Sequence, residues 1–217
     1  MASYRGITLI IGPMFAYKTK MLINCIDRHM IAKKSCVVVR HAFDTRYDAT
    51  NSRNCDETCG KSCEVFCRKF METEQNDSEK VTKKPFIRTH DEVYYRKCPV
   101  YSSGDLKSLM NILQQYEVIG IDEGQFFPDL AEYCSSLAAL GKTVYVAGLS
   151  GDYKQEAFAP IAALLPKCSD IKFLKSVCHY CKNDASFTKR TSSENDTIVI
   201  GAEDKYIPVC EHCLHSL

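Results

Sequence analysis

Short, unbroken apolar runs constrain this chain more than any other feature: Ile7 to Ile11, Cys36 to Val39, Val118 to Ile121 and Thr143 to Ala147. A strand with one face in water alternates apolar and polar residues, whereas a strand covered on both faces need not. Between the runs lie stretches with apolar residues at helical spacing. Met21, Leu22, Ile23 and Ile26 form the first, Leu106 to Leu113 the second and Asp129 to Leu140 the third. Doubly covered strands joined by helices predict an α/β domain with a parallel sheet and crossover helices.

A length of 217 residues with 45% apolar composition suits one principal domain and at most a small satellite. The pattern divides into a main domain over 1–175 and a small unit over 176–217, where short apolar pieces are bracketed by two cysteine pairs. Residues 51–86 read as an insertion, rich in Cys, Asp and Glu. It ends in a polar tract, Glu72 to Lys84, that buries too little to order itself. Its Cys55, Cys59, Cys63 and Cys67 are spaced by four, a stripe that would drift around a helix without converging on one metal, though in a loop they can; the segment reads as a mobile, reduced loop, with a second metal site or a redox role as the alternative.

The 28 basic and 27 acidic residues leave a net charge of +1, which gives no electrostatic drive toward nucleic acid or a membrane surface. The run Ile7 to Ile11 is too short for a signal segment or a membrane span. Thirteen cysteines, an odd number that includes two C-x-x-C pairs, point to reduced thiols with four of them on metal. The expected location is cytoplasmic, with neither nucleic acid nor membrane as partner.

Gly12-Pro13-Met14-Phe15-Ala16-Tyr17-Lys18-Thr19 stands at the first strand-to-helix junction, where a Walker A phosphate loop belongs. Such a loop needs backbone N–H groups aimed at phosphate oxygens, a Lys for the β- and γ-phosphates, and a hydroxyl for Mg²⁺. Lys18 and Thr19 supply the last two, while Tyr17 replaces the usual glycine. Alone, the segment also reads as an ordinary helix opening on Lys-Thr. A second buried run, Val118 to Ile121, ends in Asp122 and Glu123. An Asp so placed holds Mg²⁺, and a neighbouring acid can serve the nucleophile. In this order, the two motifs predict a P-loop nucleotide-binding fold.

Cys178-x-x-Cys181 and Cys210-x-x-Cys213 can each supply two thiolates to one tetrahedral Zn²⁺, and four thiolates with no open position make the site structural. His179 and His212 are expected beside the ligands or in solvent. The metal would clamp the base of the loop between the pairs, lowering the entropy lost when that loop orders over a small ligand.

These residues resemble the type II, zinc-containing thymidine kinases almost end to end. The resemblance is carried by Leu9-Ile10-Ile11-Gly12-Pro13-Met14-Phe15, Asp44-Thr45-Arg46-Tyr47, Thr89-His90-Asp91, Asp122-Glu123-Gly124-Gln125-Phe126-Phe127-Pro128-Asp129 and Ala185-Ser186-Phe187-Thr188-Lys189-Arg190, with Ile200-Gly201 and Tyr206 before the second cysteine pair. It implies a RecA-like P-loop sheet flanked by helices, plus a small zinc ribbon carrying a substrate-binding lasso. It further implies an ATP-dependent kinase acting on thymidine and deoxyuridine in nucleotide salvage, inhibited by dTTP and assembled as a homotetramer or homodimer.

By resemblance, Glu123 is the general base toward the 5′-hydroxyl, and Arg46 supplies charge near the transferring phosphoryl group. Residues Gly12 to Thr19, Asp44, Asp122 and Gln125 form the ATP and Mg²⁺ site. The lasso from Ser186 to Tyr206 offers main-chain bonds to thymine at Thr197, Ile198, Val199, Ile200 and Gly201, and Met14, Phe126, Leu149, Phe158, Thr188 and Tyr206 line the pocket. Tyr17 departs from the pattern, because a Cβ is excluded there if the backbone needs positive φ, and a phenol can occupy phosphate space. That departure admits a second reading, a non-catalytic nucleotide-binding relative. A zinc-ribbon nucleic-acid binder is disfavoured by the balanced charge.

Overall fold

The apolar runs become strands whose alternate residues enter two different cores, which is why no polar face interrupts them. The computed structural model describes residues 6–42, 82–84, 87–88, 94–95, 97–191 and 205–216. In chain order the strands are β1 (Gly6–Gly12), β2 (Cys36–His41), β3 (Thr82–Lys84), β4 (Ile87–Arg88), β5 (Tyr94–Tyr95), β6 (Val100–Ser103), β7 (Val118–Asp122), β8 (Thr143–Leu149), β9 (Asp170–Phe173), β10 (Ser176–Val177), β11 (Asp184–Ala185), β12 (Phe187–Arg190) and β13 (Tyr206–Val209). The α-helices are α1 (Lys18–Ile31), α2 (Met110–Leu113), α3 (Leu130–Ala139), α4 (Ala159–Leu164) and α5 (Glu211–Ser216).

Seven strands form the main sheet in the order β3-β6-β2-β7-β8-β1-β9. Every neighbouring pair is parallel except β3 with β6. Ile7, Leu9, Ile11, Val37, Val39, Ile119, Ile121, Val144 and Val146 pack with Leu130, Leu137 and Ile161 on one face. Ile10, Val38, Val118, Tyr145 and Ala147 pack with Leu22, Ile23 and Ile26 of α1 on the other. Leu22 and Ile26 are fully buried, each stabilising the docked helix by roughly 1.5–3 kcal/mol. That burial offsets the lack of a side-chain cap at Tyr17, before α1.

Helix α1 runs from β1 to β2 across β7 and β8, so its first turn lies over the carboxyl ends of those strands. Gly12, His41, Asp122 and Leu149, which end β1, β2, β7 and β8, therefore share one rim of the sheet. Ligands of open α/β sheets bind at this carboxyl rim.

One expectation is corrected here. Thr82–Lys84, read above as the end of a tract unable to order itself, form the antiparallel edge strand β3, with Lys83 opposite Tyr101. An edge strand is held by ladder hydrogen bonds that need no apolar side chain, and lysines are common on such edges. After β9 the chain enters the two-stranded pairs β10–β11 and β12–β13, whose small core is Cys178, Ala185, Ile207, Val209 and Cys213. No described helix is long and apolar enough to cross a membrane.

Candidate functional site

The loop from Gly12 to Thr19 is shaped by close backbone approaches. A Cβ on Gly12 would lie 2.3 Å from the Leu174 carbonyl oxygen, so no larger residue fits without moving the backbone just after β9. Phe15 and Tyr17 both have positive φ, 62° and 55°. For a residue with a side chain this left-handed geometry costs roughly 1–2 kcal/mol, which accounts for glycine being usual at the position of Tyr17. Tyr17 adopts the conformation nonetheless. The residue is 60% exposed, and its ring lies 5.2 Å from the Lys20 ammonium. Lys18 Nζ donates to the Pro13 carbonyl at 2.6 Å.

Asp122 belongs to β7, separated from β1 by β8. The crossing of α1 nevertheless brings Thr19 to it, and the Thr19 hydroxyl lies 3.1 Å from both carboxylate oxygens. A hydroxyl and a nearly buried carboxylate are hard oxygen donors of the kind Mg²⁺ takes. Glu123, the next residue, is held at φ 52° and ψ 45°. Gln125, 4% exposed, donates through Nε2 to Glu123 Oε2 at 2.6 Å and accepts the Leu149 N–H at 3.1 Å. The amide thus ties an acid at the end of β7 to the end of β8 with both polar ends in use.

Of the expected pocket residues, Met14 and Thr188 are in direct contact: the Met14 N–H donates to Thr188 Oγ1 at 3.0 Å. Leu149 pairs with Gly12 in the sheet register, at the same rim. Phe126 is half-buried with its ring 5.8 Å from that of His41, and Phe158 precedes α4 and packs on the first core. The Tyr206 hydroxyl accepts from Arg190 at 2.7 Å, and the Arg190 guanidinium lies 3.9 Å from the centre of the Tyr153 ring. Asp44, Arg46, Thr197, Ile198, Val199, Ile200, Gly201 and the cysteines at 55, 59, 63 and 67 lie outside the described residues.

The donor atoms of Cys178, Cys181, Cys210 and Cys213 lie within 4.8 Å of one another. Four sulfurs at Zn–S distances of about 2.3 Å sit about 3.8 Å apart, so the cluster fits zinc with a small contraction. Burial opposes ionisation of Cys178, but the N–H groups of Cys181, Cys210 and Tyr180 outweigh it and draw the thiol below its usual range. His179 and His212 are exposed beside the cluster, as expected. Cys213 of the same cluster shifts the other way, pushed up by burial first, and outside the cluster burial pushes Cys36 and Cys168 up to about 11.

Sequence reasoning assigned no role to several residues of this region, although Asp129 and Arg190 stand in motifs that carry the resemblance. Ser176 donates to the Phe15 carbonyl at 3.1 Å, and Asp129 accepts the N–H groups of Leu106 and Lys107, capping the segment before α2. Tyr153 and Arg190 join the loop after β8 to the four-cysteine unit. Only the polar character of these side chains was visible beforehand; their partners lie 22 to 161 residues away.

The family model described as thymidine kinase matches residues 5–83 and 61–214. The thymidine kinase of Myxoma virus (strain Lausanne) is 37% identical over 214 residues, covering 98% of each chain. Thymidine kinase 1 of Dictyostelium discoideum is 37% identical over 210 residues, covering 97% of this chain and 78% of its own. The thymidine kinase of Acanthamoeba polyphaga mimivirus is 36% identical over 214 residues, covering 97% and 82%.

Proposed function

The chain belongs to the thymidine kinase family, and from that premise we propose that it transfers the γ-phosphoryl group of ATP to the 5′-hydroxyl of thymidine. The observation that carries this reading is the meeting of Thr19 with Asp122 beside Glu123, in a chain matched to the family over nearly its whole length. Residues 1–175 form the kinase domain and 176–217 the zinc and lasso unit.

Gly12, Pro13, Met14, Phe15, Ala16, Tyr17, Lys18 and Thr19 cradle the ATP phosphates, with Asp44, Asp122 and Gln125 completing that site. Thr19 and Asp122 would hold Mg²⁺, which when bound neutralises charge on the phosphate oxygens. Glu123 accepts the proton of the attacking hydroxyl. In a loose transition state its main effect is to orient the nucleophile, with proton uptake late. Gln125 keeps that carboxylate turned to the rim. Arg46 stabilises the transferring group.

Met14, Phe126, Leu149, Phe158, Thr188 and Tyr206 line the nucleoside pocket, and residues 197–201 pair their main chain with the thymine edge. A base with a different donor and acceptor pattern would leave buried groups unpaired and is rejected, whereas deoxyuridine, lacking only a methyl group, is accepted. Further expectations are inhibition by dTTP, a homotetramer or homodimer, a cytoplasmic location and structural Zn²⁺ on the four cysteines. No observation favours the non-catalytic alternative. Tyr17 tolerates the left-handed backbone, and its ring is largely exposed.

The test is transfer of labelled γ-phosphate from ATP to thymidine, with deoxycytidine as control. Thymidine-selective product is expected, falling about 10²–10⁴-fold in Glu123→Gln. Well-folded, zinc-loaded protein that makes no product would sink the proposal.

A further inference from the structure

Successive groups of the phosphate loop are held from outside it. Leu174 N–H donates to the Ile11 carbonyl at 2.8 Å, and Ser150 N–H donates to the Gly12 carbonyl at 3.2 Å. The peptide group between Pro13 and Met14 is held at both ends: its carbonyl accepts Lys18 Nζ at 2.6 Å, and its N–H donates to Thr188 Oγ1 at 3.0 Å. Next along the loop, the Phe15 carbonyl accepts the Ser176 hydroxyl.

A peptide group is planar and trans, so its N–H and C=O point in opposite directions and turn together. Fixing the N–H therefore fixes the direction of the carbonyl. We propose that Thr188 is a positioning residue for Lys18, acting through the Pro13–Met14 peptide plane. In this arrangement a zinc-unit side chain, 174 residues from Met14, sets where the lysine of the phosphate loop rests.

Two further features fit this role. The bond from Met14 is buried, so water cannot replace the Thr188 oxygen without rearrangement. Ser176 and Thr188, the two anchors from the zinc unit, flank Cys178 and Cys181 in sequence, so the metal knuckle spaces the grips on the loop. A nucleoside-pocket wall needs only the shape of Thr188, whereas a peptide anchor needs its oxygen.

The inference rests on the reading of Gly12 to Thr19 as the ATP site, and not on thymidine as acceptor. Thr188→Val removes the acceptor at nearly constant volume, and Thr188→Ser keeps it. The assay is binding of a fluorescent, ribose-labelled ATP analogue with magnesium, together with the KM for ATP and for thymidine. Expected is about tenfold weaker ATP binding in T188V, equivalent to about 1.4 kcal/mol, with T188S within about twofold of wild type.

ATP binding unchanged in T188V, or equally weakened in T188S, overturns the proposal, as does a change confined to the KM for thymidine. If T188V does not fold, Thr188→Ala removes the same oxygen without placing a methyl in its space and is judged by the same outcomes. Wild-type protein that binds the analogue but phosphorylates no thymidine refutes the proposed acceptor and leaves this inference standing. Failure to bind the analogue at all overturns both.

Discussion

Gln125→Met would preserve the approximate volume of a side chain that is 4% exposed, while deleting both of its polar ends. Two hydrogen bonds are lost. The one donated to Glu123 has a charged acceptor, a class worth about 1.5–3 kcal/mol, and the Leu149 N–H left without its acceptor costs about 1–3 kcal/mol. Packing of the thioether restores part of this, but space is limited, since a Cβ on Gly148 would already lie 3.1 Å from Gln125 Oε1. We expect a net loss of about 2–4 kcal/mol, which lowers Tm by about 5–15 °C and leaves a folded protein. Catalysis should suffer more than binding, because Glu123 keeps its charge and loses its orientation; a misplacement near 1 Å costs up to about 10²-fold. Differential scanning fluorimetry and steady-state phosphotransfer measure the two effects. A kcat within twofold of wild type, in a background where Glu123→Gln is inactive, would refute the positioning argument.

Gly12→Ala must drive a methyl into the Leu174 carbonyl while β1 is paired on both sides, so we expect about 3 kcal/mol of destabilisation, read as a lower urea midpoint; an unchanged midpoint contradicts the close approach. Chelation of zinc should release the strands from 176 to 209 to protease, because among the described residues their own core is the small set Cys178, Ala185, Ile207, Val209 and Cys213; protection equal to that of the loaded protein would disprove a structural role for the metal. Burial, followed by the charges of Lys34 and Arg28, lowers the pKa of His29, which hydrogen-bonds Tyr145 at 2.9 Å. The unfolded chain therefore takes up this proton first, so the contribution is complete above a pH of about 6.5 and is lost as pH falls through the folded value. His29→Gln should flatten that part of the stability profile in acid titrations followed by circular dichroism, and an unaltered slope counts against the assignment.

The strands were legible because burial on both faces writes itself into composition: Ile7 to Ile11 and Val118 to Ile121 can lie nowhere but inside a covered sheet. The cysteine pairs were legible because a metal demands fixed spacing. Thr82–Lys84 were not, since an edge strand is specified by backbone partners that polar residues do not announce. Tyr17 could be flagged from sequence as standing where positive φ is needed, but only the fold shows the ring turned largely to solvent. Gln125 and Thr188 were placed in the site by resemblance, yet what they hold depends on which atoms of distant segments meet them. Local pattern carries no such information.

The beginning of α1 is poorly built as a helix on its own terms. No side chain caps it, its first turn holds Lys18 and Lys20 and no acid, and the backbone enters it from a left-handed residue. The positive end of a helix disfavours such cations and presents N–H groups that need acceptors. A polyphosphate supplies both missing terms, acceptor oxygens and negative charge. The nucleotide would then act as the absent first residue of a secondary-structure element as well as a reactant. Each round of turnover would cap and uncap α1, and amide exchange at residues 18–21 should slow when ATP is added while the buried centre of the helix is unaffected.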